Sequence, residues 1–434
     1  MKRIKLLVLQ LVLLSFIFLS PNVNAAQRDS LINRVKSLSA VKEVWPLLSG
    51  PYAEKYELKF EQPVDYSDTI GAKFLQRVYV MHEGYNAPVV FVTEGYGAGN
   101  IENPSYREEL SRLLRANVIF VEHRYFLEST PSGGNWKYLN ARNEANDLHR
   151  IREAFASIYK GKWIATGISK GGQNAIIYTA FYPTDVDITV AYVAPLCRSL
   201  EDGRHEPFIA DRVGTTEVRN KVLDFQKLLL RKRGTLMPLF DSLCTANNLK
   251  FGAGLNEIYD YTVLEYSFSF WQWGYDPKGI PTSAASDRDI FRYWMRVSSP
   301  NYFAVGGPTE PFYVQAAKEL GYYGYDIKPF KGLLTIKKSK GYLKKLLLPE
   351  GYSTGFDKSL YNMQKRFIKN TTNHIMFIYG GIDPWSSVGF MNEQTSGSVV
   401  VFVEPQGSHR TRIYSLPEPM KSEARDILNR WLSE

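Results

Sequence analysis

The segment that most constrains the fold of this 434-residue chain is the hexapeptide GISKGG at residues 167–172. An apolar run (WIAT, residues 163–166) precedes it, and residues 171–182 have helical spacing. Gly-x-Ser-x-Gly between a strand and a helix predicts a sharp turn that projects the serine, because flanking side chains would collide with both elements. The start of the helix also directs free backbone N–H groups towards negative charge. The pattern therefore predicts that Ser169 is a nucleophile.

Short apolar β segments alternate with helical segments on both sides of this turn. The expected strands are residues 56–62, 74–82, 88–93, 117–122, 163–166, 188–194, 374–379 and 398–404. Helices are expected over residues 143–159, 171–182 and 419–432. Strands that alternate with helices predict a mostly parallel sheet covered on both faces. Together with the serine turn, this order predicts an α/β protein with the α/β-hydrolase fold.

Residues 199–347 differ from the rest, since they show helical periodicity and few β runs. We interpret them as one large helical lid insertion that divides the α/β-hydrolase domain into residues 26–198 and 348–434. Aromatic residues make up 14% of the chain, and many fall in the lid, at residues 259–275. Asp260 and Glu265 are among the polar residues that interrupt this ring cluster, so a transmembrane helix is not expected there.

The N terminus has the pattern of a secretory signal peptide over residues 1–25. Three basic residues precede an apolar run at residues 6–19, and small residues follow at the cleavage region. An uncleaved anchoring helix is the alternative. Cleavage predicts an exported protein, periplasmic or extracellular, without a membrane span, and it lowers the net charge from +9 to +6 because the segment holds three basic residues and no acid. No long basic block follows, so nucleic acid is not an expected partner.

Export also bears on the two cysteines, Cys197 and Cys244. In an oxidising compartment they either form one bridge or stay as two buried free thiols, and the sequence leaves both possibilities open.

A nucleophilic serine needs a base and an acid, and the α/β-hydrolase order is nucleophile, acid, histidine. His409 follows the last apolar strand, which is the expected place for the base, and His205 is the alternative. Asp383 lies in the glycine-rich segment after the penultimate strand, where its carboxylate can orient the histidine. Alternatively, Asp383 only caps the turn that begins at Pro384. The order of the three residues favours a Ser169–Asp383–His409 triad.

Two backbone segments are expected to form the oxyanion hole. One donor is the N–H of Lys170, directly after the nucleophile. The second is expected from the loop EGYGAG at residues 94–99, at Gly95 or Tyr96. The Lys170 side chain is expected to cover the surface without a catalytic role. The scattered histidines show no metal-ligand spacing, so no metal and no cofactor are predicted.

Several longer blocks are far more specific than the serine turn. They are EHRYF (122–126), WKYL (136–139), GISKGG (167–172), FYPTDVD (181–187), VAYVAP (190–195), FWQWG (270–274) and ELGYY (319–323). In these blocks the chain resembles the secreted prolyl tri- and tetrapeptidyl aminopeptidases, which are related to lysosomal Pro-Xaa carboxypeptidase and dipeptidyl peptidase II. The resemblance implies a serine exopeptidase that removes short peptides, often after proline, from a free N terminus. It also implies the triad Ser169, Asp383 and His409.

A peptidase of this kind needs a carboxylate for the substrate ammonium and an apolar surface for a proline ring. The candidate carboxylates are Glu94, Glu201, Asp202 and Glu206. Trp271 and Trp273 are the candidate rings, with packing inside the lid as the alternative.

The expected partners are peptides with a free N terminus, and the sequence does not indicate an oligomeric state. A carboxylesterase or lipase with the same triad is the second hypothesis. A non-catalytic binding protein on a hydrolase fold is the third.

Overall fold

A nine-stranded sheet organises the protein in a computed structural model that describes residues 30–434. The predicted signal peptide, residues 1–25, lies outside the described residues. The strands are β1 (Val41–Pro46), β2 (Glu54–Pro63), β3 (Lys73–His82), β4 (Val89–Thr93), β5 (Asn117–Val121), β6 (Trp163–Ile168), β7 (Ile188–Tyr192), β8 (His374–Gly380) and β9 (Val399–Glu404). Their order is β1-β2-β3-β5-β4-β6-β7-β8-β9. The neighbours β1, β2, β3 and β5 pair antiparallel. The neighbours β5, β4, β6, β7, β8 and β9 pair parallel.

The mostly parallel sheet confirms the predicted fold class, and one strand was not expected from the sequence. β1 is an edge strand whose two half-buried valines, Val41 and Val44, are three positions apart. A register shift between Val41 and Glu43 produces this spacing. Because a strand is recognised by alternation with a period of two, the irregular register hides β1 from sequence inspection.

Helices cover both faces of the sheet. The helices of the sheet domain and of the lid are, in chain order, α1 (Leu31–Lys36), α2 (Glu109–Leu114), α3 (Ala141–Ala156), α4 (Lys170–Phe181), α5 (His205–Pro207), α6 (Thr216–Arg231), α7 (Arg233–Ala246), α8 (Leu255–Trp273), α9 (Asp287–Val297), α10 (Glu310–Gln315), α11 (Tyr342–Leu346), α12 (Ser359–Asn370) and α13 (Met420–Ser433). Within β4, Val90 joins the core beneath α2 and α13, whereas Phe91 joins the core beneath α1, α3 and α4. A strand buried on both faces reads as an unbroken apolar run, which is why the sequence reveals it.

Helices α5 to α11 lie between β7 and β8 and surround their own apolar core. The longest of them, α8, is buried along most of its length. Its rings pack against rings of neighbouring lid segments; for example, Phe268 stacks on Tyr323 with centroids 3.7 Å apart. Much of the aromatic excess of the chain therefore packs the lid. Across residues 30–434 no helix combines the length and apolar character needed to cross a bilayer.

Both cysteines are buried free thiols in the structure. Burial raises the pKa of Cys244 to about 11 and that of Cys197 further above its ordinary value. Of the two possibilities left open by the sequence, the structure therefore has the unbridged one.

Buried ion pairs fasten the end of β5 to the surrounding elements. Arg124 and Asp147 are fully buried and form a bidentate pair, with Nε–Oδ2 at 2.7 Å and Nη2–Oδ1 at 2.8 Å. Arg124 also donates to the carbonyl of Tyr138 at 2.9 Å. Two residues before Arg124, Glu122 accepts a hydrogen bond from Arg77 at 2.5 Å. The EHRYF block thus joins β5, β3 and α3.

The Arg124–Asp147 pair gives the first testable prediction. Arg124→Met leaves a buried carboxylate without its partner, so the free energy of unfolding is expected to fall by about 3–5 kcal/mol. Urea titration followed by far-UV circular dichroism measures this. The control is Arg292→Met, which breaks an exposed pair with Asp289 and is expected to cost less than about 1 kcal/mol. Equal effects of the two substitutions would contradict a structural role for the buried pair.

Candidate active site

Ser169 stands at the turn between β6 and α4, as the sequence predicts. Its backbone has φ +58° and ψ −121°, a conformation that is strained for a residue with a side chain. Its N–H donates to the carbonyl of Tyr192 at 2.8 Å, which fixes the turn to the neighbouring strand β7. A Cβ at Gly167 would lie 2.3 Å from the carbonyl carbon of Gly171. The close approach of strand and helix therefore requires glycine here.

Asp383 and His409 lie on the loops that follow two adjacent parallel strands, β8 and β9. His409 Nδ1 lies 2.6 Å from Asp383 Oδ2, and both side chains are buried. The other Asp383 oxygen accepts the N–H of Trp385 at 3.1 Å, so this residue also caps the turn at Pro384. The two interpretations of Asp383 are thus compatible, because each uses a different carboxylate oxygen.

A pocket of about 230 Å³ opens beside Ser169, between the sheet and the lid. Its walls include Tyr96, Ser169, Lys170, Gln173, Pro195, Glu265, Ser269, Gln272, Trp273, Tyr302, Thr309, Phe312, Tyr313, Leu320, Gly321, Tyr322, Tyr323 and Trp385. His409 adjoins this wall, since its backbone N–H donates to the carbonyl of Gln272 at 2.8 Å and its ring meets that of Trp273 edge-on at 5.7 Å. Segments that carry all three residues of the predicted triad therefore border the pocket.

Among the described residues, Glu265 is the one carboxylic acid in the pocket wall, and it was missed as a candidate from the sequence. Its side chain is 2% exposed and accepts hydrogen bonds from Ser269 (2.6 Å), Tyr325 (2.7 Å) and Tyr323 (2.9 Å). Burial raises its pKa to about 7, and the three hydrogen bonds act in the opposite direction. In the sequence Glu265 appeared only as an interruption of an apolar ring cluster. A charged residue at a buried helical position was the signal that could have identified it.

The structure does not bring the four predicted substrate carboxylates to this pocket wall. Glu94 is turned back on its own loop, where Oε1 accepts the N–H of Tyr96 at 3.1 Å and burial raises its pKa to about 7. Glu201 accepts the N–H of Gly341. Asp202 forms an ion pair with Arg204 at 2.6 Å. Sequence proximity to the start of the lid suggested the last two, but Glu201 binds a distant lid segment and Asp202 binds within its own loop.

The remaining candidate, Glu206, lines a second cavity of about 150 Å³ inside the lid. Trp271 lies in the wall of that same cavity and is 4% exposed, so it is not a ring of the Ser169 pocket. Trp273 does line the Ser169 pocket and is 41% exposed. Residues two positions apart on a helix point in directions that differ by about 200°. Helix α8 therefore presents Trp271 and Trp273 to different cavities.

His205, the alternative base, is fully buried and packs against Phe268, Tyr323 and Trp385. Burial lowers its pKa to about 3. It does not line the Ser169 pocket, so the geometry favours His409 as the base.

The loop after β4 lies directly over the first turn of α4, as the predicted oxyanion hole requires. A Cβ at Gly95 would lie 2.8 Å from the backbone nitrogen of Gly171. The Lys170 side chain, however, is 2% exposed, and its Nζ donates to the carbonyl of Gly95 at 2.8 Å. The expectation that this side chain covers the surface is wrong, because the loop encloses it. Burial lowers its pKa to about 7.

Comparison with known proteins identifies the family. The model of the PS-10 peptidase S37 family matches residues 31–433. The prolyl tri/tetrapeptidyl aminopeptidase of Streptomyces mobaraensis is 28% identical over 386 residues, which cover 86% of this chain and 79% of that protein. A probable serine protease of Arabidopsis thaliana, EDA2, is 30% identical over 133 residues, 28% of this chain and 26% of that protein.

Among solved structures, the proline iminopeptidase of Mycobacterium smegmatis aligns with a TM-score of 0.43 and 12% identity, over 82% of this chain and 96% of that one. The family match spans nearly all described residues, including both sheet segments and the lid. The chain therefore belongs to the PS-10 peptidase S37 family, and it is a serine peptidase.

Proposed function

We propose that this serine peptidase is an exported exopeptidase that removes short peptides, tripeptides foremost, from free N termini, often after proline. The observation that carries the proposal is the placement of Ser169 and the buried carboxylate of Glu265 in one ring-walled pocket. The activity for which the Streptomyces mobaraensis relative is named, that of a prolyl tri/tetrapeptidyl aminopeptidase, supports the same substrate class.

In the proposed reaction Ser169 Oγ attacks the scissile carbonyl. His409 accepts the serine proton at Nε2, because Nδ1 faces Asp383 and carries the other ring proton. His409 then protonates the leaving amine, and an acyl-enzyme remains on Ser169. Water, deprotonated by the same histidine, attacks the acyl-enzyme and releases the short peptide. Asp383 holds the imidazole ring through its bond to Nδ1 and stabilises the imidazolium that forms.

Glu265 is proposed to bind the substrate ammonium. A carboxylate shielded from water attracts an ammonium more strongly than an exposed one does. The three hydroxyl donors around Glu265 hold its carboxylate in place. A peptide acylating Ser169 with its N terminus at Glu265 must end inside the pocket, so only short peptides are released. The ring-lined wall, including Phe312, offers an apolar surface to a proline ring.

Export is proposed from the signal-peptide pattern of residues 1–25. N-terminal sequencing of the protein from cell and medium fractions tests it. A mature N terminus near residue 26 in an exported fraction supports export, and an intact Met1 in the cytoplasm overturns it.

The proposed triad predicts two separable losses of activity. Ser169→Ala is expected to abolish labelling by a fluorophosphonate. Asp383→Asn is expected to lower kcat by about 10⁴-fold with KM nearly unchanged, since the histidine loses its orienting carboxylate. The control is His149→Gln on α3, whose histidine pairs with Asp185 and does not line the pocket. Labelling of folded Ser169→Ala at the wild-type rate would contradict the assignment of the nucleophile.

Glu265→Gln is expected to lower kcat/KM by about 10²-fold for a tripeptide amide ending in proline with a free amine. The N-acetylated peptide and a short p-nitrophenyl ester should change little, because neither has an ammonium to bind. The matched control is Glu206→Gln, which alters the acid of the other lid cavity. Mass spectrometry of the products gives the length of the released peptide. If the wild-type enzyme cleaves the blocked and free peptides equally fast, the chain is not an aminopeptidase and an esterase becomes the better assignment.

The raised pKa of Glu265 predicts a pH dependence. The ratio of kcat/KM for the free peptide to that for its N-acetylated form cancels the titration of the shared triad. This ratio is expected to rise as pH increases through about 7, because Glu265 ionises there. It should fall again above about pH 8, where the substrate amine loses its proton. In Glu265→Gln the rise should vanish; a rise that persists would assign it to another group.

A further inference from the structure

A buried ammonium lies next to the nucleophile and has no part in the reaction described above. Lys170 is 2% exposed, and its Nζ donates to the carbonyl of Gly95 at 2.8 Å. The rings of Tyr96 and Phe126 flank it at 5.8 Å and 5.6 Å from Nζ to the ring centres. Within the described residues, carboxylates act on it through space rather than in an ion pair. Burying a charge with so few partners is unfavourable for stability, so the lysine calls for another explanation.

The hydrogen bond of Lys170 is one of three side-chain bonds that hold the loop after β4 against the start of α4. Asn174, one turn further along the helix, donates from Nδ2 to the carbonyl of Glu94 at 3.2 Å. In the opposite direction, Thr93 Oγ1 donates to the carbonyl of Gly171 at 2.9 Å. Lys170 and Asn174 thus donate hydrogen bonds to consecutive carbonyls of the same loop. The loop is fixed relative to the helix that begins directly after Ser169.

The bond to Gly95 also determines the direction of a neighbouring donor. The carbonyl of Gly95 and the N–H of Tyr96 belong to one planar trans peptide unit, so they point in opposite directions. Holding that carbonyl against Nζ therefore orients the N–H of Tyr96. Glu94 Oε1 accepts this N–H at 3.1 Å, so a carboxyl oxygen fits against it. Tyr96 itself lines the Ser169 pocket.

We infer that Lys170 is a positioning residue, whose ammonium holds the Gly95–Tyr96 peptide so that the Tyr96 N–H can receive the oxyanion formed at Ser169. This inference rests on the proposed acyl transfer. In the resting protein the carboxyl group of Glu94 holds the N–H, and the oxyanion replaces it when the carbonyl is attacked. Donors fixed in advance stabilise the oxyanion without having to reorient during the reaction.

Lys170→Met separates this role from a purely structural one. Methionine keeps the length and apolar contacts of the side chain but removes the ammonium. Because a buried charge is removed, thermal stability should stay the same or rise. Because the loop loses its tie, kcat should fall by about 10²-fold, within the range seen when an oxyanion donor is lost, with KM nearly unchanged. Steady-state kinetics on a proline-ending tripeptide amide and thermal unfolding measure the two effects.

Two further variants sharpen the test. Asn174→Ala removes the second side-chain hydrogen bond to the same loop. Because both residues act through this loop, the factor by which the double variant lowers kcat should be smaller than the product of the two single factors. Lys318→Met is the matched control. That ammonium also donates to backbone carbonyls, of Lys137 at 3.0 Å and Leu139 at 3.1 Å, but it does not line the Ser169 pocket. Its loss should leave kcat unchanged.

The inference is overturned if Lys170→Met keeps wild-type kcat, or if kcat falls only together with thermal stability and KM. Either result leaves the proposed function intact as long as Ser169→Ala is inactive. A peptidase activity that survives in Ser169→Ala would instead remove the proposed function itself.

Discussion

The site depends on how closely three backbone segments approach one another at the end of β6. A Cβ at Gly167 would meet the carbonyl of Gly171, and a Cβ at Gly171 would come within 2.8 Å of the carbonyl of Thr93. Only glycine allows this spacing, which leaves Ser169 at the top of the turn with a positive φ. Such a conformation costs about 1–3 kcal/mol and persists because neighbouring strands and helix hold it. The pocket, the loop after β4 and the start of α4 all take their positions from this contact.

The sequence was sufficient for the parallel strands and for the chain order of the three candidate catalytic residues, whereas the irregular edge strand β1 was missed. The parallel strands are unbroken apolar runs, and a parallel sheet brings the loops after β8 and β9 together, so Asp383 and His409 could be paired before any distance was known. It was insufficient where function depends on contacts distant in sequence. Glu265 acquires its environment from Tyr323 and Tyr325, which are 58 and 60 residues away. Lys170 is buried by a loop from β4, 75 residues earlier, and nothing in its immediate neighbours indicates this.

Two kinds of buried charge in this protein differ in physical meaning. Arg124–Asp147 and Arg77–Glu122 are direct pairs whose hydrogen bonds offset the loss of hydration, and neither pair lines the pocket. Glu265 and Lys170 lack an ion-pair partner among the described residues, and burial moves both pKa values to about 7. Unpaired buried charges reduce stability, so their presence on one pocket is a better guide to function than the number of acids near the lid entrance. This distinction is what removes Asp202 from the candidate carboxylates and adds Glu265.

On the proposed function, helix α8 links substrate recognition to the chemistry of the triad. It carries Glu265 in the pocket wall, and two turns later the carbonyl of Gln272 accepts the backbone N–H of His409 at 2.8 Å. The next residue, Trp273, packs edge-on against the His409 ring. A shift of α8 that repositioned Glu265 would therefore also displace a hydrogen-bonding partner of His409. On the proposed function, the distance between the ammonium site at Glu265 and Ser169 sets the length of the released peptide. The helix that fixes this distance also contacts His409, so the lid and the catalytic residues are structurally coupled.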